Sequence, residues 1–276
     1  MSELATLAIE LAIGAVVGFT IGLTGVGGGV LVVPALTILL GMPATVAVGT
    51  ASAYAFLTKI FAGFEHWRLR TIDTAMAHLF LAGAVPGNIA ACLVIGHYKA
   101  RAGDAQTLAS LQSHLKTFIA GVMVFSVILM LANLMRGVWN ERQARLGDEA
   151  TPPPTAMPLT RRALGLLLGA LVGALIGATS VGGGVVIVPL LIICFGLTTR
   201  TTVGTSIYIA LILTLCTTLL SAGRGDVDWR VAGLMAVGSL LGVTLGSRLA
   251  NRLPEAALQS AVALLLLVAI AGMLLA

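Results

Sequence analysis

Apolar residues run along this chain in long unbroken blocks and do not alternate with polar ones. Leu11–Thr58 contains no Asp, Glu, Lys, Arg or His, and between Ala163 and Gly223 the single ionisable side chain is Arg200. Further uncharged or nearly uncharged runs cover Thr74–Tyr98 (with His78 and His97), Thr117–Met135, Val231–Ser247 and Ala256–Ala276. A spanning helix needs about 20 apolar residues, so each run is long enough to cross a bilayer. Strands of an outer-membrane barrel would instead alternate over segments of about ten residues. Helices are the remaining way to satisfy a backbone in hydrocarbon.

Composition sharpens this. With 58% hydrophobic residues, 10% charged residues and a mean hydropathy of +1.04, the chain has more apolar surface than a water-soluble domain can hide. The first apolar run is read as a membrane segment and not as a leader peptide, since Glu3 and Glu10 precede or enter it where a basic stretch is expected. The net charge of +5 sits in short connections between apolar runs, a pattern that orients a membrane protein and does not bind nucleic acid. Cys92, Cys194 and Cys216 lie inside apolar runs with no CxxC pair, so neither a disulfide nor a metal site is expected.

The chain also matches itself. A shift of 155 aligns Gly14–Thr50 with Gly169–Thr205 at 20 identities in 37 positions. The same shift brings Ile72-Asp73 onto Val227-Asp228, Gly83 onto Gly238 and Gly87 onto Gly242; later the shift becomes 147, leaving about eight extra residues near Ala100–Ala109. Arg136–Arg162 gathers eight charged residues and the run Thr151-Pro152-Pro153-Pro154, the composition of an exposed linker. The expected organisation is a first transmembrane repeat over 1–140, a cytoplasmic linker over 141–160 and a second repeat over 161–276. The expected fold is all-α: a polytopic helical membrane protein with a two-fold internal repeat, eight full spans, and two short broken segments at glycine-rich loops.

Those short segments, Val30–Leu40 and Val185–Phe195, decide the topology. Eleven helical residues reach about 17 Å, well short of a hydrocarbon core of roughly 30 Å. If both cross, each half has five segments and the halves are inverted; if neither does, each has four and the halves are parallel. Counting Lys and Arg gives the same balance either way, with the linker cytoplasmic and both termini outside.

Ahead of each short segment lies a glycine triplet, Thr24-Gly25-Val26-Gly27-Gly28-Gly29 in one half and Thr179-Ser180-Val181-Gly182-Gly183-Gly184 in the other. Consecutive glycines disfavour continuous helix, at about 1 kcal/mol each against Ala. Unwound backbone at membrane depth survives only inside protein or beside a watery cavity. A glycine loop leading into a helix offers N–H groups and the positive helix end, which suits an anion, and Thr24, Thr179 and Ser180 add hydroxyl donors. Close helix packing is the competing reading of the glycines, above all for Gly14/Gly18/Gly22 and Gly169/Gly173/Gly177.

The paired G-x-T-G/S-V-G-G-G-x5-P elements, followed by Val48-Gly49-Thr50 and Val203-Gly204-Thr205 and then by a loop acidic residue, resemble the TauE/SafE family of sulfite and organosulfonate exporters. The resemblance runs through nearly the whole chain and implies a secondary carrier for a small anion, needing no cofactor. Carried across, the family's glycine elements fall on Gly27–Gly29 and Gly182–Gly184, with Pro34 and Pro189 behind them. Ser180 stands opposite Gly25 and Thr198 opposite Pro43, so the two half-sites are expected to be unequal.

Thr50 and Thr205, with Ser52 or Ser206 nearby, are candidates to complete the anion cradle, although such residues also bond their own helix. Lys59 and His78 are candidates for ion or proton coupling; snorkelling accounts for the first and a structural role for the second. Asp73 and Asp228 are read as helix caps. The expected partners are the bilayer, a small anion, coupled protons and a second copy of the chain. An intramembrane hydrolase would need Ser180 as nucleophile with a histidine from the first half, yet no G-x-S-x-G element is present. A passive channel would use the same loops as a carrier. ATP-driven pumping lacks its G-x-x-x-x-G-K-[ST] element.

Overall fold

The computed structural model describes residues 3–24, 29–102, 105–144, 159–181, 184, 186–197 and 199–250, together with Leu264, Leu267, Ala271 and Gly272. All regular structure among them is helical: α1 (Glu3–Thr24), α2 (Gly29–Pro34) running into a π-helical turn (Ala35–Leu39), α3 (Ala44–Arg68), α4 (Thr74–Arg101), α5 (Ala105–Ala144), α6 (Leu159–Thr179), α7 (Ile187–Phe195), α8 (Thr199–Ala222) and α9 (Trp229–Ala250). Six of the described helices are long and apolar enough to cross a membrane, those of α3, α4, α5, α6, α8 and α9; α1 contributes the shorter apolar stretch Leu7–Ile21. The last apolar run, Ala256–Ala276, lies almost entirely outside the described residues.

Side chains are distributed as a lipid solvent requires. Leu241 is 70% exposed and Val16 62%, whereas Thr50, Asn88, Thr205 and Thr217 are completely buried. In water this arrangement would lose the hydrophobic term at both places; in hydrocarbon the apolar faces cost nothing and the hydroxyls and amides pair inside.

Glycines set how closely the helices approach. Gly14 and Gly18 of α1 lie on the backbone of Met235 and Ser239 in α9, while Gly238 and Gly242 of α9 lie on Leu11 and Ala15. Residue numbers rise together along this seam, so α1 and α9 are parallel. In the same way Gly169 and Gly173 of α6 meet Phe80 and Ala84 of α4, and Gly83 and Gly87 of α4 meet Leu166 and Ala170, so α4 and α6 are parallel. Every one of these contacts maps onto one in the other seam under the shift of 155. The packing reading of the evenly spaced glycines is therefore correct at these positions.

The α3–α8 pair runs the other way. Gly49, at the start of α3, rests on Asp226 beyond the end of α8; Gly63 faces Leu211; and Gly204, at the start of α8, rests on Thr71 beyond the end of α3. Numbers rise on one helix as they fall on its neighbour, so α3 and α8 are antiparallel. Short turns reverse the chain from α3 to α4 and from α8 to α9. It follows that α1, α3 and α9 point one way and α4, α6 and α8 the other.

This settles the direction of the short segments. Because α1 and α3 point the same way, α2 and its π-helical turn must carry the chain back between them, and α7 does the same between α6 and α8. Each return ends alike: Gly41 (φ +63°) and Gly196 (φ +68°) adopt left-handed conformations, and Met42 N–H donates to Leu36 O at 3.1 Å as Leu197 N–H does to Leu191 O at 3.4 Å. The π-helical turn follows Pro34, which lacks an N–H and breaks the regular ladder.

Candidate functional site

Of the residues singled out in the sequence, Gly27, Gly28, Gly182 and Gly183 lie outside the described residues, as does the side chain of Thr24. Gly29 opens α2, and Gly184 accepts the N–H of Val188 at 3.2 Å, helping to begin α7. The second loop is best defined at its entry. α6 ends at Thr179, and Ser180 takes a left-handed conformation, φ +56°, which is costly for any residue but Gly. Both residues are buried.

Ser180 is tied across the molecule. Ser52, in the middle of α3, donates its hydroxyl to Ser180 Oγ at 2.9 Å, which leaves the Ser180 proton available for another acceptor. The Thr179 hydroxyl is already committed, donating to Leu175 O at 2.6 Å and accepting Val181 N–H at 3.1 Å. Thr179 therefore shapes the loop, while Ser180, among the described residues, is bonded only as the acceptor of Ser52. Val186 stands at the head of α7 with no side-chain cap, and both it and Ile187 are buried. Among the described residues, no side-chain cap or first-turn acidic residue neutralises the positive end of this helix start.

Thr50 and Thr205 each tie two helices together. Thr50 Oγ1 accepts the N–H of Asp228 at 3.0 Å, and Thr205 Oγ1 accepts that of Asp73 at 2.9 Å. Each aspartate caps its own helix, with Asp73 accepting Met76 N–H at 3.0 Å and Asp228 accepting Val231 N–H at 3.1 Å, as the sequence leads one to expect. The two threonines thus join α3 to the head of α9 and α8 to the head of α4. Ser206 bonds back to Val203 O at 2.9 Å.

The coupling candidates stay apart from this centre. His78 is exposed on α4, edge-on to Tyr208 at 6.4 Å; Lys59 is half-buried on α3. Tyr54 donates to Ser239 Oγ at 2.9 Å and does not pair with Tyr208.

Sequence reasoning passed over two polar groups. Asn88, fully buried on α4, donates to Gly173 O at 3.3 Å and to Thr217 Oγ1 at 2.9 Å, and accepts from Thr217, bonding α4, α6 and α8 together. Nearer the end of those helices, Asp226 is buried and binds both Lys99 and Arg224, the latter at 3.4 Å from Nε. Arg224 further donates to Cys92 O at 3.2 Å and Ser221 Oγ at 3.4 Å. In the sequence, Arg224 reads only as a topology-setting charge. Cys92, 132 positions from Arg224, and Lys99, 127 positions from Asp226, give no local signal of this cluster.

A bundle of helices solvated by lipid, with a broken, hydroxyl-bearing loop held at its centre, is the frame of a membrane transporter, and comparison with known proteins decides the family. The sulfite exporter TauE/SafE family profile matches residues 10–273. The chain belongs to this family. It is 32% identical over 256 residues to a Bacillus subtilis (strain 168) protein described as "Probable membrane transporter protein YjnA", covering 92% of this chain and 94% of that one. A Xylella fastidiosa (strain 9a5c) "Probable membrane transporter protein" is 28% identical, with 90% of this chain and 86% of the relative covered. "Probable membrane transporter protein YdhB" of Bacillus subtilis (strain 168) is 27% identical, covering 94% and 95%. No solved structure matches. By kinship this TauE/SafE member is a multi-pass membrane transporter.

Proposed function

We propose that the chain is a secondary transporter that moves a small oxyanion, sulfite or an organosulfonate, across the inner membrane by alternating access around a central site between two inverted repeats. The repeats are 1–140 and 161–276, with the linker 141–160 cytoplasmic and both termini outside. Each comprises four full spans and one short returning segment. In this reading Thr24, Gly27, Gly28 and Gly29 of one loop face Thr179, Ser180, Gly182, Gly183 and Gly184 of the other. Thr50 and Thr205 hold α3 and α8 in register beside them, and Lys59 or His78 carries coupled protons.

The observation that carries the reading is the left-handed break at Ser180, buried in the bundle with its hydroxyl bonded to Ser52 of the other half. Non-helical backbone at that depth is tolerated where it serves a path through the protein, and donors without a buried full charge let an anion bind and leave. The family's sulfite-exporter description supplies the substrate class. A passive channel would share the loops but show ohmic single-pore current.

The test is flux in proteoliposomes with a panel of sulfite, sulfate, thiosulfate and C2–C3 sulfonates, with and without a proton gradient. Saturable, gradient-driven accumulation of one of them supports a carrier. Absence of flux for every anion, or unsaturable conductance, rejects it. Ser180→Ala is expected to slow flux while leaving insertion unchanged.

A further inference from the structure

Arg224 separates two cavities. On one side lies an open cavity of about 860 Å³ between the ends of α4 and α8, lined by Gly96, His97, Tyr98, Arg101 and Leu220 as well as Arg224. On the other lies a small pocket of about 10 Å³, the size of one water, lined by Cys92, Gly177, Ala178, Ser221, Asp226 and Arg224 among others. Gly177 and Ala178 immediately precede Thr179 and Ser180, so this inner pocket abuts the root of the second glycine loop. The guanidinium is the wall between the outside of the bundle and that root.

The wall carries charge at the ends of the helices. Asp226 is only 2% exposed, while Lys99 and Arg224 keep 31% and 26% of their side chains accessible. One buried carboxylate therefore holds two cations that both remain within reach of solvent, a local excess of one positive charge. Gly96 makes the geometry possible: a Cβ there would sit 2.9 Å from Arg224 Cδ, so the arginine lies flat across α4 where a side chain is missing. The corresponding position at the opposite end of the helix pair, 155 earlier, is Leu69, and Asp226 corresponds to Thr71. The charged wall exists at one end only of this pair.

We propose that Arg224 is a second oxyanion-binding site at the mouth of the pathway, where the guanidinium takes a sulfite- or sulfonate-sized anion in exchange for its contacts with Asp226, while Lys99 keeps the carboxylate neutralised. A planar fork of donors suits two oxygens of one oxyanion; with no anion present, Nε faces Asp226 while the two terminal nitrogens rest on Cys92 O and Ser221 Oγ. Arg101 in the outer cavity adds positive potential that draws anions in. Moving the guanidinium from Asp226 also opens the wall toward Ala178 and the Ser180 loop. This site rests on the transporter reading above, and on the orientation proposed there it faces outward.

The experiment is zero-trans sulfite flux into right-side-out and inverted vesicles, for the unmodified chain and for Arg224→Gln, Arg224→Lys and Gly96→Ala. Arg224→Gln is expected to raise the half-saturating sulfite concentration by about tenfold or more on the α8–α9 side, with little change on the opposite side. Arg224→Lys should recover part of this. Gly96→Ala, which alters no charge and displaces the guanidinium, should reproduce the sided shift even if Arg224→Gln fails to accumulate. Equal shifts on both sides would mark Arg224 as merely structural and overturn the proposal, as would unchanged sided values in a chain that transports. An effect that appears only with phosphatidylglycerol vesicles and vanishes in phosphatidylcholine would assign the site to lipid and equally overturn it. If the unmodified chain moves no sulfite or sulfonate, the transporter reading itself fails.

Discussion

Thr50 accepts the backbone N–H of Asp228 from 178 positions away, and this bond joins the first turns of α3 to the head of α9 at 3.0 Å. The N–H at a helix N-cap has no partner within its own helix, and Thr50 is completely buried, so the threonine is its means of satisfaction. Thr205 does the same for Asp73. Thr50→Val and Thr205→Val should each destabilise the detergent-solubilised protein by about 1–3 kcal/mol, with Thr→Ser much milder. Because the two bonds sit at opposite ends of the α3–α8 pair, the double variant should lose the sum. Thermal unfolding of all three checks this, and a double variant no worse than either single one would refute independent ties.

Much of this frame was legible beforehand. A constant shift of 155 placed Gly14 with Gly169 and Gly83 with Gly238, and those glycines form the two parallel seams. Asp73 and Asp228 read as caps and are caps. Direction was not legible, because positive charge is balanced identically whether or not an eleven-residue segment returns; only side-to-side contacts such as Gly49 with Asp226 report it. The site was half legible. Glycine triplets announce a break, but they say nothing of Ser52 reaching Ser180 across 128 positions, or of Thr179 turning its hydroxyl back onto Leu175.

The seams predict a contrast among glycines. A Cβ at Gly87 would strike the Ala170 carbonyl, and one at Gly173 the Ala84 carbonyl, where rigid backbone cannot yield. Gly87→Ala and Gly173→Ala should therefore cost about 1–3 kcal/mol or more through overpacking of the α4–α6 seam. At Gly121 and Gly233 nothing among the described residues lies within 4 Å, so Ala should be neutral or mildly stabilising there, by up to about 1 kcal/mol from helix propensity. Melting temperatures of the four single variants suffice, and equal losses at all four would contradict close packing as the cause.

Ser180 separates backbone strain from ligand contact. Glycine relieves the left-handed conformation by roughly 1 kcal/mol while deleting the bond to Ser52, so Ser180→Gly should keep its stability within about 1 kcal/mol. Its transport should fall nonetheless, because the free hydroxyl proton is gone. Ser180→Val should both unfold more readily and transport poorly, since a β-branched residue resists positive φ. Should Ser180→Gly transport at the unmodified rate, this hydroxyl is no ligand.

Glu10 presents the opposite problem, a buried carboxyl oxygen unpaired among the described residues. It lies on α1 at 4% exposure, and its Oε2 has no hydrogen-bond partner among the described residues. Leaving a buried carboxyl oxygen unsatisfied costs free energy in either protonation state, whereas methionine fills a similar volume with no polar atom to satisfy. Glu10→Met should accordingly raise thermal stability, by about 1–3 kcal/mol. Glu10→Gln should gain less, since an amide leaves polar atoms in the same place. A fall in melting temperature for Glu10→Met would mean that the carboxyl carries a bond essential to the fold. A rise accompanied by loss of proton-driven flux, with exchange of anions preserved, would move the coupling role from Lys59 and His78 to Glu10.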